Sequence, residues 1–324
     1  MLHKPSSDLR RKAMLQRRTM LGGIGALLAT PALAQFKIPF GAPDPTPSRG
    51  GGLGLDKIFS GAQSIFEGMS LGEDDEIQMG TGLYPRMIAR SGGPYRNSKV
   101  QSDIAKFAAP LLATSARPKL QWEIVVVDDS TVNAWALPGG KLAINRGLLR
   151  YLASEDELAA VISHEVGHAE LSHALAEMKN KKFTEGLGSI GKEAIASRMR
   201  AGAGNFVTSQ VLDALEGPLY DQITSGYSRD HEYEADQHIL KVFKVTGYQP
   251  LKASSFFHTL LDLIPANVAG TTSLYSTHPG TIDRIEKLDA AAKKLPVPPA
   301  RDLDPKFAEV KQTFPMPQYY RGPT

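Results

Sequence analysis

His164-Glu165-Val166-Gly167-His168 is the segment of this 324-residue chain with the most evident capacity for chemistry. The H-E-x-x-H spacing serves a metal only on a helix. At 3.6 residues per turn, positions four apart differ by about 40° in direction, so both imidazoles leave one face and can share one cation. Glu165 then stands beside them, placed to hold and deprotonate a water that zinc has acidified. Two histidines and a glutamate on a solvated face would need no metal. The apolar neighbours Val161, Ile162 and Val166 argue against that, because they bury the helix and make unpaired polar groups expensive. Gly167 costs about 1 kcal/mol relative to alanine inside a helix, which predicts the close approach of another element there.

Catalytic zinc takes three protein ligands and keeps a position open for water, so a third ligand must come from elsewhere. His173 is nearest, but nine residues beyond His164 on a continuous helix it is rotated about 180° to the opposite face. That geometry predicts a packed or capping histidine. The segment Arg229-Asp230-His231-Glu232-Tyr233-Glu234-Ala235-Asp236-Gln237-His238 is too acidic to be core. Glu232 and Asp236 share one face of its helix, Glu234 and His238 share another, and spacing alone does not choose between the pairs.

Several elements must hold these groups. Ser154 and Glu157 have the spacing of a capping box, and the helix they open carries Leu158, Val161, Ile162 and Val166 inward, running to about residue 179. A second helix covers 229–245 and stops at Gly247. A third starts at Pro279 and turns Ile282, Ile285 and Leu288 inward. Strands are predicted at 122–127, 132–137 and 141–145, with Pro138-Gly139-Gly140 as the turn. Over 133–137, Trp135 and Leu137 point to one face and Ala134 and Ala136 to the other. The edge of that strand, with Asn133, Ala134, Trp135 and Ala136, is a candidate for binding an extended peptide as a further strand. The Trp135 side chain fits core packing equally well. Residues 183–217 are rich in Gly and Ala with few large anchors, which predicts a mobile lid between the two ligand-bearing helices. Lys192, Glu193, Arg198 and Arg200 keep that segment from being a membrane span.

The chain has no cysteine, which excludes a thiol nucleophile, a Cys-rich zinc module, a disulfide framework and a lipidated cysteine. Six of the 37 Lys and Arg and one of the 34 acidic residues fall within 1–34, leaving 31 basic against 33 acidic residues beyond them. No basic surface remains to suggest a nucleic acid partner. The clustered charges precede an uncharged apolar run, 20–33, that closes on Ala32-Leu33-Ala34, the pattern of a cleaved export signal. Arg17-Arg18 gives it a twin-arginine character. The expected organisation is a signal peptide over 1–34, a Pro/Gly-rich linker with a short helix over 35–72, a catalytic domain over 73–296 and a loose C-terminal extension over 297–324. The expected location is the periplasm, with no transmembrane anchor in the mature chain.

The H-E-V-G-H motif followed by E-x-x-A-D at Glu232 to Asp236 resembles the HtpX, BepA and Oma-type zinc metallopeptidases, relatives of the CAAX prenyl protease. Asn133-Ala134-Trp135-Ala136-Leu137-Pro138-Gly139-Gly140 upstream and Thr277-His278-Pro279 downstream extend the resemblance over about 73–295. The membrane helices and helical-repeat domain found in branches of that family have no expected counterpart in this sequence. The resemblance implies an α+β, mostly helical gluzincin fold with a small sheet whose edge strand lies near the zinc site. It implies one Zn2+ per chain and selects Glu232 as third ligand, with Asp236 orienting a ligating histidine. Glu234 is left as a solvated or ion-paired carboxylate. It allows His278 to be either an oxyanion donor supported by Arg284 or a fourth zinc ligand at rest; a helix cap is the plainer alternative. The function implied is a zinc metalloendopeptidase acting on unfolded or extended polypeptides of the cell envelope, with envelope assembly machinery as a possible partner. A non-proteolytic assembly factor or a hydrolase of cell-wall peptides would share the fold.

Overall fold

The computed structural model describes residues 71–180, 185–200, 207–263, 278, 281–299 and 301–316. The expected signal peptide and nearly all of the linker lie outside the described residues. Two helices lead in, α1 (Glu73–Arg90) and α2 (Ser98–Leu112), followed by β1 (Glu123–Val127), β2 (Ala134–Leu137) and β3 (Lys141–Asn145). Then come α3 (Arg146–Tyr151), α4 (Glu155–Glu170), α5 (His173–Glu177), α6 (Gly188–Arg200), α7 (Ser209–Ser225) and α8 (Arg229–Thr246). The described chain closes with α9 (Ser255–Leu263), α10 (Thr281–Ala292) and α11 (Pro305–Thr313). The result is mostly helical with one small mixed sheet.

The sheet order is β1-β3-β2, with β1 parallel and β2 antiparallel to β3, so β2 is an edge. Both faces of the sheet are covered. Ala134, Ala136, Leu142 and Ile144 face a core built with α2, α4, α8, α10 and α11, while Trp135, Leu137 and Ala143 face a second core with α1, α6 and α7. The period-2 alternation of a strand thus distributes side chains between two cores rather than between core and water. The turn into β3 is the 3-10 segment Pro138–Gly140, where Gly139 has φ 76°, a left-handed conformation that glycine adopts without a steric cost.

Helix α4 begins where the sequence predicts, with the Ser154 side chain accepting from the Glu157 amide at 3.3 Å. The reciprocal half of the capping box is shifted by one residue: Glu157 Oε2 accepts from the Ala153 amide at 2.7 Å, and Oε1 accepts from the Thr259 hydroxyl. The expected apolar stripe is instead a helix buried all round from Leu158 to Glu170. The expected run to residue 179 is also corrected. The helix ends at Glu170, and Ser172 turns the chain left-handed (φ 56°, ψ 35°) before α5.

Helix α8 is capped by Ser228, whose side chain accepts from the His231 amide, and stops at the left-handed Gly247. It crosses α4 at Gly167, where an added Cβ would lie 2.9 Å from His238 Cβ and 3.1 Å from Ala235 Cα. That is the close approach the mid-helix glycine predicts.

Three further expectations are overturned. Ile282 is exposed, and α10 turns Ile285, Leu288 and Ala292 inward, because the buried Arg284 sets the rotation of that helix. The described part of 183–217 is anchored by large side chains, Leu187, Ile195, Val211 and Leu215, all in the second core, which removes the basis for a mobile lid. The described part of the C-terminal segment, to residue 316, is not loose. Helix α11 places Phe307 and Val310 in the main core, and Lys311 Nζ donates to the carbonyls of Leu149 and Arg150.

Candidate active site

Helix α4 presents His164 and His168 from one face, helix α8 presents Glu232 opposite them, and the residue His278 before α10 closes the group. His168 Nε2 lies 3.0 Å from His164 Nε2, and each lies 3.5 Å from a Glu232 oxygen. His278 Nδ1 lies 3.2 Å from His164 Nε2 and 3.0 Å from both Glu232 oxygens. Four nitrogen or oxygen donors placed tetrahedrally at zinc–ligand distances of 2.0–2.1 Å are about 3.3 Å apart. The separations of 3.0–3.5 Å for five of the six residue pairs bracket that value, the four donors lie within 4.8 Å of one another, and all four residues are buried. This donor set, two or three imidazoles and a carboxylate, suits zinc in both number and hardness.

The surroundings fit a cation as well. Glu232 is fully buried; burial alone would raise its pKa, but His278 and His164 outweigh that and hold the carboxyl well below its usual range. Burial likewise opposes a charge on His164, and Asp236 and Glu232 override it, pushing its pKa up to about 9. His168 is driven the other way, by burial and by the neighbouring His164. The site therefore favours negative charge on Glu232 and Asp236 in a dry space, the electrostatic condition for holding a dication.

Asp236 lies with Oδ1 3.1 Å from His164 Nδ1 and is gripped from behind by Arg284, with Nε to Oδ2 at 2.8 Å and Nη2 to Oδ1 at 2.7 Å. The same guanidinium reaches Glu232 Oε2 at 2.6 Å and the His278 carbonyl at 3.2 Å. Glu165 is buried beside the cluster, Oε1 3.8 Å from His278 Nε2, and its Oε2 has no hydrogen-bond partner among the described residues. Burial raises its pKa. Leaving a buried carboxylate oxygen unpaired costs about 1–3 kcal/mol, an expense explained by a group met only in function. A small cavity borders Glu165, His164 and His278, walled by Val161, Ile239 and Phe256.

The competing pair resolves physically. His238 Nδ1 donates to the Ser163 carbonyl (3.0 Å), locking α8 to α4, and Glu234 turns outward to His173, so the two do not converge. The strand residues divide by role in the packing. Trp135 is core, edge-on to Tyr84 at 6.2 Å, so any contact of this strand with a peptide falls to its backbone. Asn133 Nδ2 donates to the Ile223 carbonyl at 3.5 Å.

Two neighbours of the site escape sequence reasoning. Tyr227 stacks on His168 (centroids 4.1 Å apart, planes 21°) and its hydroxyl lies 3.5 Å from the Ala136 carbonyl, so it sits between the edge strand and the cluster. His173 Nδ1 lies 2.8 Å from His168 Nδ1, on the near side and not the far one, because the left-handed Ser172 reverses the chain. Tyr227 stands immediately before the Ser228 cap, a signal of position but not of contact.

Two paired carboxylates around buried imidazoles, on crossing helices beside a three-stranded sheet, define a zinc metallopeptidase of the H-E-x-x-H class. The chain belongs to peptidase family M48, whose profile matches residues 94–292. The metalloprotease YcaL of Escherichia coli is 25% identical over 238 residues, 73% of this chain and 87% of that protein. The mitochondrial metalloendopeptidase OMA1 of Schizosaccharomyces pombe is 29% identical over 191 residues, 57% of this chain and 51% of that one. A putative beta-barrel assembly-enhancing protease of Vibrio cholerae is 27% identical over 230 residues, 71% of this chain and 46% of that one. The chain thus spans most of the first relative and about half the length of the other two.

Proposed function

We propose that this chain is an exported zinc metalloendopeptidase that cleaves unfolded or misassembled proteins of the cell envelope. The observation that carries the reading is the convergence of His164, His168 and Glu232 with the unpaired Glu165 oxygen beside them. His164, His168 and Glu232 hold the ion, and zinc, when bound, supplies the Lewis acidity that activates water and polarises the scissile carbonyl. Glu165 takes the water proton and delivers it to the leaving amine. Burial raises its pKa, which favours the proton it must accept. Asp236 fixes the orientation of His164, and Arg284 balances the buried carboxylates.

His278 would be a fourth residue holding the ion at rest. Its distances of 3.0–3.2 Å to Glu232 and His164 favour that role over an oxyanion donor or a helix cap. Extended substrates pair with the edge strand β2, and Tyr227, which covers that edge, moves aside as they do. Folded proteins offer no such strand, which limits the substrates to unfolded chains. The signal-like pattern of 1–34 and the relatives named as assembly-enhancing proteases support an envelope location. No helix among the described residues is long and apolar enough to cross a membrane.

The test is twofold. Elemental analysis should find one zinc per mature chain, lost in His168→Ala. The purified protein should cleave unfolded outer-membrane proteins and leave peptidoglycan intact. Release of peptidoglycan fragments, with no protein cleaved, would transfer the reading to cell-wall hydrolysis.

A further inference from the structure

We propose that His173 and Glu234 are positioning residues that fix the tautomer and orientation of His168 through a histidine-bridged hydrogen-bond relay. The inference rests on the reading that His168 holds zinc through Nε2, the atom that faces His164 and Glu232. A nitrogen that ligates a metal keeps its lone pair for it, so the proton of His168 must sit on Nδ1 and needs an acceptor. The atom placed to accept is His173 Nδ1, 2.8 Å away. It accepts only when the His173 proton sits on Nε2, and that nitrogen lies 3.0 Å from Glu234 Oε2. Each bond dictates the direction of the next. Nδ1–H of His168 donates to His173, and Nε2–H of His173 donates to the Glu234 carboxylate. Any other protonation of His173 sets two hydrogens or two lone pairs against each other.

His173 is held for this arrangement. It is buried, and its ring stacks on His231 at 4.4 Å with planes 17° apart, while His231 is itself tied to Glu177 at 2.8 Å. The backbone is committed too. Ser172 has the one positive φ among the described non-glycine residues, a conformation that a side chain disfavours and that persists where its surroundings enforce it. Arg117 Nη1 donates to Ser172 Oγ at 2.8 Å, and Ser172 Oγ donates to Glu76 at 3.1 Å. Without this turn a continuing helix would carry His173 to the far side of α4. The two histidines of the motif are therefore supported differently: His164 directly by Asp236, and His168 by Glu234 through an intervening imidazole.

The experiment measures zinc affinity of the full chain by competition with a chelator, alongside the thermal midpoint of the zinc-stripped protein. His173→Leu should weaken zinc binding by about 10–100-fold, and Glu234→Ala by about 10-fold, as loss of a supporting hydrogen bond does at other zinc sites. Conservative variants should rescue. Glu234→Gln keeps an oxygen acceptor, and His173→Asn places an amide oxygen near the Nδ1 position, so both should bind more tightly than their apolar counterparts. Asp230→Ala, which removes an exposed carboxylate from the same helix, should leave the affinity unchanged. Glu234 is exposed, so its variants decide the matter even if His173→Leu fails to fold. Zinc binding by Glu234→Ala as tight as the parent's, or by Glu234→Gln as weak as Glu234→Ala, overturns the relay. A parent protein that binds no zinc would instead overturn the metal reading on which it rests.

Discussion

Arg284 grips both oxygens of Asp236, at 2.7 and 2.8 Å, from a position where it is itself almost wholly buried. The pair joins α10 to α8 directly behind the proposed ligands, and the same guanidinium reaches Glu232. Removing one member of such a buried pair strands the other's charge, at a cost of about 3–5 kcal/mol. Arg284→Met should lose that much stability in urea unfolding of the zinc-stripped protein. Arg284→Lys should lose less, because one ammonium still neutralises Asp236 while giving up the two-pronged fit. A parent-like unfolding midpoint for Arg284→Met would show that the pair is not what ties these helices together.

Gly167 is the contact point of the two ligand-bearing helices. A methyl group there meets His238 Cβ at 2.9 Å and the Ala235 backbone at 3.1 Å, neither of which is the yielding end of a long side chain. Gly167→Ala should therefore destabilise the protein by about 1–3 kcal/mol, despite alanine's better helix propensity. It should also weaken zinc binding, since α8 can give way only by carrying Glu232 from His164 and His168. Calorimetric unfolding and metal titration of the same sample check both halves.

His278 divides two accounts of the resting site by sign. As a fourth ligand that substrate must displace, its removal should raise basal cleavage of an unfolded protein while zinc content stays at one per chain. As an oxyanion donor, its removal should cost about 10²–10³ in kcat. The short distances from its Nδ1 to Glu232 and His164 favour the first outcome. Steady-state rates of His278→Ala with zinc measured in parallel distinguish them.

The C-terminal helix carries a pH dependence of its own. Burial lowers the pKa of Lys311 from 10.5 to about 8, so between those values the unfolded chain binds more protons than the folded one. Stability must then rise with pH across the window from about 8 to 10.5, as the cost of burying the charged form disappears. Urea unfolding at pH 7.5 and 9.5 should show this increment in the parent and not in Lys311→Met.

The proposed zinc ligands and the architecture are legible in the sequence where the signal is local and periodic. His164 and His168 follow from the helical repeat, the end of α8 from Gly247, and the tight helix crossing from an otherwise costly Gly167. Glu232 was different. Its spacing left it level with Glu234, and the motif resemblance separated them. What stayed hidden depends on departures from regularity. Nothing at residue 172 announces a left-handed turn, because serine seldom adopts one, so helical continuity predicts His173 on the far side of α4. The packing of α11 was masked by its Pro-rich flanks, although Phe307, Val310 and Phe314 have the three-to-four-residue spacing of a buried stripe. Hydrophobicity alone predicts Ile282 inward, while the buried ion pairs of Arg284 fix the face that α10 presents.

In the proposed mechanism Glu165 moves the proton while other residues hold the metal. Glu165→Gln removes the proton acceptor and keeps the shape, so it separates binding from chemistry in one protein. Measured by elemental analysis and by cleavage of an unfolded protein substrate, this variant should retain one zinc per chain and the parent's fold. Its kcat should fall by about 10²–10⁴, the contribution of a positioned general base. Cleavage by Glu165→Gln at the parental rate with full zinc would contradict the account.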